Sequence, residues 1–306
     1  MKRTKLAALV ASGILGTSLT ACVMEDAPTA IGKALPTAAQ VKINLPDTAS
    51  SNAVGQLSPW YVATRDVTRT LNGGTAWVLI LVHTIVLFPP TATAGDTYTW
   101  GPWSQALDPA EYKLTVTALA DGSYDWALDG HDKSQPAAAF ETVIGGNAVP
   151  GGTGRFTLDF DAAERVNPRE NDGQGVIGAV YDVPARSLDL SADSVQDQDG
   201  TPTPVHADYR YREQADGSGD MVFSVLGDTD DPGSLPEQAT IRSRWLATGA
   251  GRADLRLRDG DLAAEVTASD CWSTSFLRVF YTDSAQWQPT EGDPAACAFA
   301  DVDLPE

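Results

Sequence analysis

Beyond Pro90, apolar and polar residues alternate with period two in one short run after another. Tyr112, Leu114 and Val116 alternate with Lys113, Thr115 and Thr117; Asp121-Gly122 marks a turn; then Tyr124, Trp126 and Leu128 alternate with Ser123, Asp125 and Asp129. Successive strand side chains point to opposite faces, so the pattern predicts a hairpin with one buried face. Similar alternation recurs at Phe156, Leu158 and Phe160, at Leu188 and Leu190, at Val205, Ala207, Tyr209 and Tyr211, from Ile241 to Trp245, at Leu255 and Leu257, and at Val266. Gly-rich or Asp-Gly turns separate the later runs. About ten strands joined by short turns predict a mainly β fold built on one large antiparallel meander.

Upstream the period changes. Ser58-Pro59 reads as an N-cap with proline at the first helical position, and Asn72-Gly73-Gly74 reads as a stop. Thr75 then caps a second segment, Ala76 to Phe88, which Pro89-Pro90 terminates. That segment is apolar on nearly every side and too short to span a bilayer, which predicts burial inside the domain. Its β-branched residues leave a buried strand open, with helix preferred. The expected architecture is therefore a curved sheet or incomplete barrel around an N-terminal helical hairpin within residues 58–88. Residues 40–46 alternate as well and predict a first strand.

The first residues carry an address. Lys2, Arg3 and Lys5 precede an apolar run to Leu19 that Ser12, Gly13, Gly16, Thr17 and Ser18 interrupt, the layout of a signal peptide. The run ends in Leu19-Thr20-Ala21-Cys22, which resembles the lipobox of bacterial lipoproteins. The resemblance implies cleavage after residue 21, acylation of Cys22 and stable attachment to a membrane. Val23 follows the cysteine where an aspartate would favour retention, so the class sorting rule implies the outer membrane. Residues 22–39, rich in Ala, Pro and Thr, read as a tether, and residues 40–306 as one β-rich domain.

Charge narrows the partners. Without Lys2, Arg3 and Lys5 the chain keeps 18 basic against 41 acidic side chains, a formal charge of −23. Such a surface repels phosphate backbones, which excludes nucleic acid as a partner class. It also disfavours lying on anionic lipid, leaving attachment to the acyl chains. Beyond Cys22 only Cys271 and Cys297 remain. In an oxidising compartment one disulfide is the simplest reading; free thiols or metal ligands are the alternative, without histidine nearby.

Candidate chemistry is sparse. His83, His131 and His206 are far apart and lack metal-ligand spacing, no nucleophile elbow or phosphate loop is present, and no catalytic, metal or cofactor set is read. Parity places Arg242, Arg244, Arg252, Arg256 and Arg258 on one face, opposite Ile241, Ser243, Trp245, Ala253, Leu255 and Leu257. Like charges across strands need relief. Either acids such as Asp254 and Glu265 or a neighbouring strand pair them, or Arg242, Arg244, Arg256 and Arg258 bind an anion. Trp100 and Trp103 are core residues or an exposed aromatic contact. Two functions follow as expectations: a non-enzymatic envelope lipoprotein binding or carrying an apolar, lipid-like ligand, or a surface module for a glycan, an anion or an envelope protein. The first is similar in outline to the half-barrel lipoprotein carriers.

Overall fold

Ser58 starts the main helix as its sequence predicts. In the computed structural model, which describes residues 31–33, 35–46, 57–104, 108–198, 201–227, 235–302 and 304, its Oγ accepts the amide of Tyr61 at 3.1 Å. Helix α1 (Pro59–Val86) then runs for 28 residues without a break. The expected helical hairpin is not formed. Gly73 and Gly74 are exposed and helical, each costing about 1 kcal/mol relative to alanine. Asn72 does not stop the helix: its side-chain amide accepts from Ile43 N at 2.8 Å and donates to Ile43 O at 3.0 Å. Thr75 does not cap a second helix, because its Oγ1 donates back to Leu71 O. Tertiary contacts override the local stop signal. Residues 41–46 form no strand; they run beside the helix with Ile43 buried.

The chain divides into two compact units, Met1–Gln40 with Ala76–Pro184, and Val41–Thr75 with Ala185–Glu306. In the first, β1 (Ala92–Ala94), β2 (Thr97–Trp103), β3 (Ala110–Ala118), β4 (Tyr124–Asp132), β5 (Glu141–Ala148), β6 (Thr153–Asp159) and β7 (Val176–Asp182) each pair antiparallel with the next. The β3–β4 hairpin has the expected register, Val116 opposite Trp126 and Leu114 opposite Leu128. Asp121 closes its turn by accepting the amide and hydroxyl of Ser123. Phe160 leaves the predicted strand pattern: Asp159 caps Ala162 N, and Phe160 opens the short helix α2 (Phe160–Val166). On the helical side of this unit Val78, Leu79, Leu81, Val82, Ile85 and Val86 are buried.

The second unit contains β8 (Ser187–Gln198), β9 (Thr201–Glu213), β10 (Gly219–Gly227), β11 (Glu237–Trp245), β12 (Gly251–Asp259), β13 (Val266–Trp272), β14 (Arg278–Asp283) and β15 (Glu291–Gly292), again antiparallel in chain order. One cross-strand row reads Leu188, Tyr211, Met221, Ser243, Ala253, Asp270 and Tyr281. The first turns of α1 cross that row strand by strand. Ser58 bonds Asp270 of β13, Tyr61 packs with Ala253 of β12, Thr64 Oγ1 meets Ser243 Oγ of β11 at 2.7 Å, and Thr68 Oγ1 reaches Met221 Sδ of β10. The contact is partly polar, and each of these buried hydroxyls has a partner, which is what makes its burial tolerable.

Among the described residues the strand count is fifteen, against about ten expected. The additional strands include the short β1 and β15 and the glycine-bearing β5, whose Gly145-Gly146 breaks the apolar alternation. Gly146 sits beneath the Trp126 ring, where a Cβ would stand 2.8 Å from Cζ2 and 2.2 Å from Arg155 O.

Candidate functional site

The arginine face forms as parity requires. Ser243, Trp245, Ala253 and Leu255 are buried on one side of β11 and β12, so the alternate residues Arg242, Arg244 and Arg252 share the other. Arg244 stands directly opposite Arg252, and Arg242 opposite Asp254. Acids relieve the repulsion. Asp220 of β10 takes Arg242 through two contacts, at 3.0 and 2.6 Å. Asp254 takes Arg244 Nη2 at 3.0 Å on one oxygen and Arg252 Nε at 2.7 Å on the other, with Ser269 Oγ also donating to it. Glu265, the other expected partner, is exposed, whereas Asp220 and Asp301 complete the pairing.

Asp301 arrives through the disulfide. Cys271 lies opposite Arg252 in the β12–β13 ladder and is bonded to Cys297, which fulfils the disulfide reading. The segment after Cys297 is thereby laid on the arginines: Arg252 Nη2 donates to Asp301 Oδ1 at 2.7 Å, Arg244 Nη2 donates to Ala300 O at 2.9 Å, and the Arg244 guanidinium stacks over Phe299. Burial pulls the Arg244 guanidinium below its ordinary pKa, opposed by Asp254. The Asp220 hydrogen bond instead raises that of Arg242. Arg258 lies 3.5 Å from Asp259. Sequence reasoning missed Asp301, although the Cys271–Cys297 spacing already returns the tail to β13.

The tryptophans separate. Trp100 is buried and its Nε1 donates to Phe88 O at 2.7 Å, satisfying a carbonyl just past the end of α1. Trp103 is 38% exposed, and its ring covers Gly101.

No family model, curated protein or solved structure matches this chain. Its own side chains are therefore the ground for any functional reading.

The histidines remain separate. His83 bonds Pro36 O, His131 bonds Gln135 O and packs at a tilt against Phe140, and His206 lies between Asp193 and Asp208, whose hydrogen bonds raise its pKa. Among the described residues no group of three or more His, Cys, Asp or Glu could hold a metal ion. Cys22, the leader and most of the tether lie outside the described residues.

One surface departs from expectation. The apolar segment of α1 is not buried on every side: Ile80 is 57% exposed, and Leu87 and Phe88, just beyond the helix end, are 78% and 48% exposed. Ile80, Thr84 and Leu87 recur at helical spacing, so they share a face. Thr84 Oγ1 is satisfied by Ile80 O, which leaves that face without an open hydroxyl donor. Among the described residues, no helix is long and apolar enough to cross a membrane.

Proposed function

We propose that this protein is an exported lipoprotein, anchored through acylated Cys22 in the outer membrane, whose β-rich domain is a non-enzymatic module for an apolar, lipid-like ligand. The observation that carries the reading is the Cys271–Cys297 disulfide. It pairs two of the three cysteines in the sequence and fits an oxidising compartment outside the cytoplasm; the third is Cys22 of Leu19-Thr20-Ala21-Cys22. The exposed Ile80, Leu87 and Phe88 support the apolar ligand class, since a soluble chain that keeps large side chains exposed together gains by covering them. A curved or incompletely closed sheet, similar in outline to the half-barrel carriers, belongs to this proposal.

Lipid analysis tests the ligand class. The domain with Cys22→Ser, purified without detergent from a bacterial host, should retain lipid at near-stoichiometric amount. Lipid-free protein would contradict it.

A second reading, an anion-binding module, rests on the seat of Asp301. That carboxylate meets Arg252 although its own side chain is 82% exposed, and Arg244 keeps a buried Nε with no hydrogen-bond partner among the described residues. If this face binds an external anion, Arg244→Gln with Arg256→Gln abolishes a measurable affinity for acidic ligands at similar melting temperature. A large fall in stability would mark the arginines as structural.

A further inference from the structure

Leu87 and Phe88 lie at the end of the chain's longest stretch without acids. Between Asp66 and Asp96 there is no Asp or Glu, and between Asp26 and Asp47 there is none either, in a protein with 41 acids. Within the first compact unit, parts of these two stretches meet. Ile31 and Leu35 are buried, and Pro36 O lies 2.9 Å from His83 Nε2, one helical turn before Leu87. The only charge the two stretches bring to that unit's described residues is the exposed Lys33.

This is also where the anchor enters. Eight residues lie between Cys22 and Ile31, so even a fully extended chain spans no more than about 32 Å across those nine steps. An acylated Cys22 therefore keeps Ile31, and the segment to Pro36 that meets His83, within that reach of the bilayer. The rest of the acidic surface is repelled by anionic headgroups, but this patch is not. Several of its polar groups are already satisfied: Thr84 Oγ1 by Ile80 O, Phe88 O by Trp100 Nε1 and Phe88 N by Ile85 O. Those three groups would not be left unsatisfied when the apolar side chains enter an interface.

We propose that Ile80, Leu87 and Phe88 form a membrane-docking surface that inserts into the interfacial region of the leaflet carrying the Cys22 acyl chains. The inference rests on the lipoprotein reading above and deepens it by naming the bilayer itself as the partner of this patch. Docking adds a second, protein-borne contact to the acyl anchor and fixes which end of the first unit faces the lipid.

The test uses acylated full-length protein in vesicles of phosphatidylethanolamine and phosphatidylglycerol. Leu87→Cys and, as a control in the acidic β3–β4 turn, Leu119→Cys are each labelled with an environment-sensitive fluorophore. Both positions are exposed, and a circular-dichroism melt matching the parent's checks that each variant folds. The expected result is blue-shifted emission at 87, with quenching by brominated lipid several-fold greater than at 119. Equal, water-like emission at both sites on acylated protein overturns the docking inference alone. Unmodified Cys22 in the intact mass overturns the lipoprotein reading and the inference together.

Discussion

The Ser58 hydroxyl, 3.0 Å from the buried carboxylate of Asp270, ties the start of helix α1 to β13. Arg278 holds the second carboxylate oxygen, at 3.1 Å from its Nε. Even so, burial dominates and pushes the Asp270 pKa up to about 6, with Arg278 and Ser58 opposing it.

The consequence is a stability slope opposite to that of most carboxylates. The unfolded carboxyl titrates near 3.9, so between roughly that pH and 6 the folded state holds the extra proton and stability falls as pH rises. Asp270→Asn stays neutral throughout. Its melting temperature relative to the parent should rise between about pH 4 and 6 and level off above that window; parallel curves across it would contradict the assignment.

The hairpin at 246–250 depends on glycine. Gly251 stands opposite Trp272 in the β12–β13 ladder, and a Cβ there would lie 2.4 Å from Trp272 Cζ2 and 2.6 Å from Arg244 O. Gly219 meets Trp245 in the same way, at 2.3 Å from Cε2. Gly251→Ala should destabilise by about 1–3 kcal/mol through overpacking, as measured by denaturant unfolding.

Asp254 and Asp301 both contact Arg252 but differ in burial. Asp254→Asn leaves Arg244 and Arg252 short of a shared buried partner and should cost roughly 3–5 kcal/mol. Asp301→Asn, at an exposed carboxylate, should cost under about 1 kcal/mol. Equal losses in thermal unfolding would show that the tail, not β12, organises the arginine face.

The disulfide closes a loop of 26 residues in sequence separation. Replacing both Cys271 and Cys297 by serine should cost roughly 3 kcal/mol by the chain-entropy argument. Proteolysis should then cut the segment after Cys297 before the β13–β14 hairpin. Resistance equal to the parent would mean that Arg252 and Arg244 alone secure the tail.

What the sequence made legible follows from range. The β3–β4 hairpin and the arginine face rest on period-two alternation, a property of neighbouring residues, and both formed as read. The N-cap at Ser58 is equally local. The uninterrupted helix is not: Asn72-Gly73-Gly74 is a genuine stop signal, overridden because the Asn72 side chain pairs with Ile43, 29 residues away. β5 escaped because Gly145-Gly146 erases the apolar alternation, Gly146 lying beneath the Trp126 ring where a side chain would not fit. The seat of Asp301 needed the disulfide, and the exposure of Leu87 and Phe88 contradicted an apolar run that composition alone assigns to the core. The absence of acids between Asp66 and Asp96 is the sequence feature that accompanies this exposure.

The most direct test of the account is the intact mass of the full-length protein, expressed in a bacterial host and extracted in detergent, beside a Cys22→Ser control. The account predicts a chain that begins at Cys22 and carries three acyl groups, with the control unacylated. A parent protein without acyl mass on Cys22 would contradict it.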